Sequence, residues 1–201
     1  MGRRNQRGHH GSHRTGQTLA APRALGIDIG RVLIEPADSA ADTSFISGTD
    51  HDAMQTPQSP GAFETIAALV EAFEGRVWLV SKCGPRIQAR SRRWLAYHHF
   101  FERTGMPHHQ LRFCRKRRDK APICAELGLE AFIDDRPDVL APMEGVVPWR
   151  YLFGPQKPGR PPAAVIPVLD WSEVAEHLLP LAGEQARVTA EGRPGVALSV
   201  G

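Results

Sequence analysis

The sequence predicts a three-layer α/β domain built on a central parallel sheet, and three observations carry that expectation. Short apolar runs alternate with segments of helical periodicity through the middle of the chain. A length of 201 residues with 41% apolar side chains is enough to bury one core without disulfide or metal staples. Polar residues gather where the apolar runs end, and a parallel sheet binds ligands at the carboxyl ends of its strands.

The elements follow in order. Ala24 to Ile34 (ALGIDIGRVLI) is the first strand candidate, and Gly61 to Phe73 reads as a helix because Phe63, Ile66, Ala67, Val70 and Phe73 recur at helical spacing. Val77 to Ser81 is a second buried strand. A helix follows, with Ile87, Trp94, Leu95, His98 and Phe101 on one face and Arg86, Arg90, Arg92 and Arg93 on the other. Leu111 to Cys114 is a strand, Asp119 to Leu127 a helix and Ala131 to Ile133 a strand. Asp138 to Met143 supplies a helical turn, Trp149 to Phe153 a fifth strand, and Trp171 to Leu179 a closing helix. The domain spans residues 23–182. Residues 1–22 and 183–201 lack the apolar periodicity that would offset the entropy of ordering them, and read as disordered tails, the first one basic.

Composition excludes several classes. Cys83, Cys114 and Cys124 form an odd set without metal spacing, and the N-terminus has no apolar stretch of signal-peptide type, so a reducing cytoplasm is the expected location. No run approaches the roughly 18 apolar residues that a spanning helix requires, so no membrane is expected as a partner. The histidines of GHHGSH (8–13) lack partner carboxylates or thiols and make a poor metal tract. Charge is uneven: residues 85–120 hold eleven basic side chains against Glu102 and Asp119. Such a patch fits a phosphate-bearing partner, nucleic acid included, or simply a solvated face.

The chemistry-bearing residues fall at strand ends. Asp28 closes the first strand, Ser81 the second, Asp134 and Asp135 the fourth, and Lys120 opens the helix between the third and fourth. Singly, each has a plain reading; Asp135 before Arg136 and Pro137, or Asp119 before Lys120, fits a helix cap. Together they are complementary. Carboxylates held close raise one another's pKa unless a cation sits among them, and an all-oxygen set in the cytoplasm suits Mg2+. Ser81 donates to a phosphate oxygen, Lys120 adds a point charge, and the set suits in-line attack of a carboxylate on phosphorus. Arg115, Arg117 and Arg118, just before Lys120, are candidate substrate contacts through forked hydrogen bonds to phosphate. Trp94, Tyr97 and Phe113 are the aromatic side chains available to stack a base, although Trp94 and Phe113 fall at core positions. Cys83 lacks a histidine and carboxylate placed to activate it and reads as a small core or loop residue.

LGIDIGRVL (25–33), VWLVSK (77–82), RRDKAPICAELGL (117–129) and AFIDDRPDVL (131–140) resemble the four ordered motifs of the haloacid dehalogenase-like (HAD) superfamily, mostly magnesium-dependent phosphatases. Pro60 and Gly61, the IDD of 133–135, Leu152-Phe153 and WSEV (171–174) are similar in order and spacing to the 5′(3′)-deoxyribonucleotidases. The resemblance covers about residues 24–180 and implies a Rossmann-like three-layer fold. It also implies that Asp28 is a nucleophile forming an aspartyl-phosphate and ligating magnesium. The Gly30 carbonyl and Asp134 would be further ligands, and Asp135 would hold a bound water. Ser81 and Lys120 would bind the transferring phosphate. The implied activity is a magnesium-dependent phosphomonoesterase acting on a nucleotide or other anionic phosphate ester, small or oligonucleotide.

One position departs from that pattern. Gly30 stands where the superfamily phosphatases usually carry a second Asp that protonates the leaving oxygen, a contribution typically worth 10² to 10⁴ in rate. His51 or Asp52, or the neighbouring Asp50, is a candidate substitute, in a segment (about 35–60) too short and irregular for a helical cap domain. An impaired protein that binds phosphate or nucleic acid without turnover is the alternative reading. Dehalogenation is a weaker third, because its nucleophile needs no metal pair such as Asp134 and Asp135.

Overall fold

The computed structural model describes residues 21–35, 44–156 and 164–191. Six strands form one parallel sheet: β1 (Leu25–Ile27), β2 (Val77–Lys82), β3 (Leu111–Cys114), β4 (Ala131–Asp134), β5 (Trp149–Phe153) and β6 (Ile166–Val168), in the order β3-β2-β1-β4-β5-β6. The helices are α1 (Ser44–Ser47), α2 (Asp50–Gln55), α3 (Ala62–Ala72), α4 (Pro85–Tyr97), α5 (Phe100–Thr104), α6 (Lys120–Glu126), α7 (Pro137–Leu140) and α8 (Trp171–Glu191). The fold is the expected Rossmann-like α/β architecture. Between β1 and α3 the described residues add only α1 and α2, which is no substantial cap domain.

Two apolar layers enclose the sheet. One joins Phe63, Ile66 and Leu69 of α3, Trp94 and Leu95 of α4, Phe100 of α5 and Val174 and Leu178 of α8 against Ile27, Leu79 and Ile133. The other packs Ala121 and Cys124 of α6 and Val139 and Leu140 of α7 against Val80, Phe132 and Leu152. Neighbouring positions of a buried strand face opposite layers, which is why β2 and β4 read as nearly continuous apolar runs. Gly26 is required by close approach, since a Cβ there would overlap the Phe132 ring and a Leu129 methyl.

Several boundaries differ from the sequence expectation. The first strand stops at Ile27, and residues 28–34 fold into a compact turn with Arg31 at φ 62°. Ile29, Val32, Leu33 and Ile34 are buried nonetheless, so their apolar character reports packing and not extension. The single helix expected from Ile87 to Phe101 is two, broken where His99 takes the left-handed conformation at φ 53°. Arg90, expected on the exposed face, is buried, and its guanidinium donates to Asp50 and to the carbonyls of Phe45 and Ile46. The closing helix runs to Glu191, past the expected end at Leu179 and into the stretch read as a tail. Residues 1–20, which include GHHGSH, and 192–201 lie outside the described residues.

Candidate active site

The strand order places the site. β1 pairs with β2 on one side and β4 on the other, so the chain's crossovers leave β1 in opposite directions there, the crevice where open α/β sheets bind ligands. In the β1–β4 register Ile27 stands beside Ile133, so the next residues, Asp28 and Asp134, emerge together at the carboxyl edge. The Asp28 amide donates to the Ile133 carbonyl at 3.0 Å, holding the chain in place as the strand ends.

Lys120 ties the two carboxylates. Its ammonium donates to Asp28 Oδ1 and to Asp134 Oδ2, both at 2.7 Å, and the side chain is 2% exposed. Burial opposes its charge, but the two carboxylates prevail and hold its pKa above the ordinary lysine value. Asp134 Oδ1 accepts from the Arg136 backbone N–H at 3.0 Å. Asp28 Oδ2 has no hydrogen-bond partner among the described residues and is the oxygen left open to react.

One ammonium does not neutralise three acids. Carboxylate oxygens of Asp28, Asp134 and Asp135 lie within 4.8 Å of one another. Burial first, and then the charge of Asp28, push Asp134 up to about 7 and Asp135 up to about 6. Arg31 Nε reaches Asp135 Oδ2 at 3.1 Å and counters part of that repulsion. A buried, crowded, all-oxygen set with carboxylates resisting ionisation fits a hard divalent cation by size and donor type.

Ser81 is buried at the carboxyl end of β2, the strand beside β1, with its side chain in the same edge region. Cys83, two residues on, is buried, and desolvation followed by the Asp28 charge pushes its thiol up to about 11, which fits a core residue and not a nucleophile. Around Gly30 there is space: a Cβ built there would meet no heavy atom nearer than Asp28 Oδ2 at 3.9 Å, chain neighbours aside.

Other candidates are used elsewhere. Asp52 closes a capping box with Thr49 at the start of α2, accepting from its backbone N–H at 2.9 Å and its hydroxyl at 2.7 Å, which lowers its pKa. Asp50 is bonded to Arg90 and Arg93, and His51 is exposed on the same helix. No described contact joins His51 or Asp52 to Asp28. Arg115, Arg117 and Arg118 are exposed just before Lys120, with Arg117 3.5 Å from Asp138. Asp119 accepts from the Lys116 N–H and does not cap α6 with its side chain. Trp94 is wholly buried and Phe113 packs on the core, whereas Tyr97 is half exposed and hydrogen-bonded to Gln55. Sequence reasoning missed Arg31; its place three residues after Asp28 was visible, but nothing in the sequence marked the left-handed turn that swings it to Asp135.

This geometry defines an α/β fold with a carboxylate–lysine cluster at its topological switch point. A haloacid dehalogenase-like family hydrolase from Xanthomonas campestris has a similar fold, with a TM-score of 0.53 over 84% of this chain and 99% of that one, at 15% identity. No family model and no curated protein matches the chain. The fold is therefore HAD-like.

Proposed function

We propose that the chain is a magnesium-dependent phosphomonoesterase of the HAD superfamily, nucleotidase-like, which releases phosphate from a nucleotide or other anionic phosphate ester. The observation that carries this reading is the Asp28–Lys120–Asp134 arrangement, with one Asp28 oxygen fixed by a buried ammonium and the other free. Lys120 orients the Asp28 carboxylate and offers positive charge to the incoming phosphoryl group. Asp28 Oδ2 attacks phosphorus, the ester oxygen leaves, and an aspartyl-phosphate remains on Asp28. Water then attacks that phosphorus and returns the carboxylate. Ser81 donates to a non-bridging oxygen throughout. Asp28, Asp134 and the Gly30 carbonyl would hold Mg2+, with Asp135 reaching it through a water. The ion would supply charge neutralisation of the phosphoryl oxygens.

The absence of a capping domain among the described residues, and the basic rim, support a bulky or polyanionic substrate, small or oligonucleotide, in a cytoplasmic setting. No helix of the described residues is long and apolar enough to cross a membrane. The empty space at Gly30 favours a second reading, a phosphate or nucleic-acid binding protein that has lost turnover. The two are separated by phosphate release with and without magnesium from nucleotides, 3′-phosphorylated oligonucleotides, sugar phosphates and an activated aryl phosphate. Magnesium-dependent release that Asp28→Asn abolishes supports the enzyme. No release from any of them, with salt-dependent nucleic-acid binding that tolerates Asp28→Asn, supports the binding protein.

A further inference from the structure

The groups around Asp28 Oδ2 divide into those that carry fixed positive charge and those already committed as acceptors. Lys120 is bonded to two carboxylates and holds its proton more tightly than an ordinary lysine. Asp135 is paired with Arg31, and Asp134 is wholly buried between Lys120 and the Arg136 amide. Asp50 and Asp52 are engaged by Arg90, Arg93 and Thr49. Beside Gly30 there is open space. Among the described residues, then, nothing is placed to hand a proton to an oxygen leaving from phosphorus.

Cations ring the same edge instead. Arg31 follows β1, Lys82 ends β2 beside Cys114 in the sheet register, and Arg115, Lys116 and Arg118 follow β3; all are exposed. Lys82, Arg115, Lys116 and Arg118 have no acidic partner within 4.0 Å among the described residues, while Arg117 and Arg136 share Asp138.

From this pairing of a missing proton donor with a surplus of cations, we infer that the substrate is a phosphoanhydride, its terminal phosphoryl group bound over Asp28 and its second phosphate held by Arg31 and the rim. The inference rests on the phosphohydrolase reading of Asp28 and narrows its substrate. Asp28 Oδ2 attacks the terminal phosphorus, the bond to the bridging oxygen breaks, and the second phosphate leaves with that electron pair as an anion. No proton is needed at that step. Water then attacks the aspartyl-phosphate, the bond to Asp28 breaks, and both hydrogens of the water depart on inorganic phosphate. An alcohol leaving group lacks both advantages: it needs the proton, and it brings no charge for the rim.

The test is kcat/KM of the full chain with magnesium for pyrophosphate and a nucleoside diphosphate, against a nucleoside monophosphate and a series of aryl phosphates of rising leaving-group pKa. The anhydrides are expected to exceed the monophosphate by about 10² or more, with a steep fall along the aryl series. Gly30→Asp, which the space at Gly30 admits, is expected to raise the monophosphate and flatten that fall. Arg31→Gln is expected to lower the ratio of pyrophosphate to aryl phosphate about tenfold. By calorimetry, Asp28→Asn protein is expected to bind pyrophosphate more tightly than inorganic phosphate. A monophosphate turned over within tenfold of the anhydrides, or a flat aryl series, overturns the inference and leaves the phosphohydrolase reading intact. No release from any compound, the activated aryl phosphate included, removes the phosphohydrolase reading and the inference with it.

Discussion

Replacing Lys120 with methionine keeps the length and apolar stem of the side chain and removes its charge. In the protein that charge is 2% exposed and lies 2.7 Å from two carboxylates, one of them, Asp134, with no exposed surface. Breaking a buried pair by removing one partner costs about 3–5 kcal/mol, because the remaining charge is left uncompensated. For a domain of this size that is a fall in Tm of roughly 6–20 °C. The loss has a pH signature. Without the ammonium, the buried carboxylates have pKa values raised further above their unfolded values. Their contribution is fully present below about pH 4 and is lost as pH rises through the folded values. The Tm gap between Lys120→Met and wild type, both free of metal, should therefore be wide at pH 8 and narrow at pH 5. Thermal unfolding at the two pH values measures it. A gap under about 1 kcal/mol at pH 8, or one that does not narrow on acidification, refutes the view of Lys120 as the counter-charge of a buried acid cluster.

The remaining predictions concern the scaffold and the cation. Gly26→Ala drives a methyl into Phe132 and Leu129 and should destabilise by about 1–3 kcal/mol in urea titrations. Arg90→Met leaves the Phe45 carbonyl without its buried donor, at a cost of about 1–3 kcal/mol. The same variant should speed limited proteolysis within residues 44–56. Magnesium should raise the Tm of the metal-free protein, and more at pH 8 than at pH 5.5. Asp134 at about 7 and Asp135 at about 6 hold protons at the lower pH that the cation must displace. An equal rise at both values counts against these carboxylates as the ligands.

The sheet was legible because its central strands are buried on both faces and short. β3 and β5 fall at the expected residues, and β2 and β4 within one. β6 was not: three residues with Pro167 in the middle, at the sheet edge, carry no run to read. The break at His99 was equally hidden, because Phe100 and Phe101 return to the core and continue the apolar spacing after the chain has turned. At the site, Asp28, Asp134, Asp135 and Lys120 were visible because each stands at the end of an apolar run or the start of a helix. Which oxygen meets which nitrogen was not, since that depends on the β1–β4 register. The fate of the basic stretch shows the limit most plainly. Arg90 and Arg93 look like Arg115 and Arg118 in sequence, but Asp50, some 40 residues earlier in the chain, claims the first two and leaves the others free.

The account stands on Asp28 as the nucleophile, and the most direct test is to trap it. Protein mixed with pyrophosphate and magnesium, quenched in acid within the first turnover and digested, should yield the peptide carrying Asp28 with the added mass of one phosphoryl group. The adduct should be labile to hydroxylamine, as an acyl phosphate is, and absent from Asp28→Asn. Steady phosphate release from wild type with no such adduct, or with the adduct on another residue, contradicts the account.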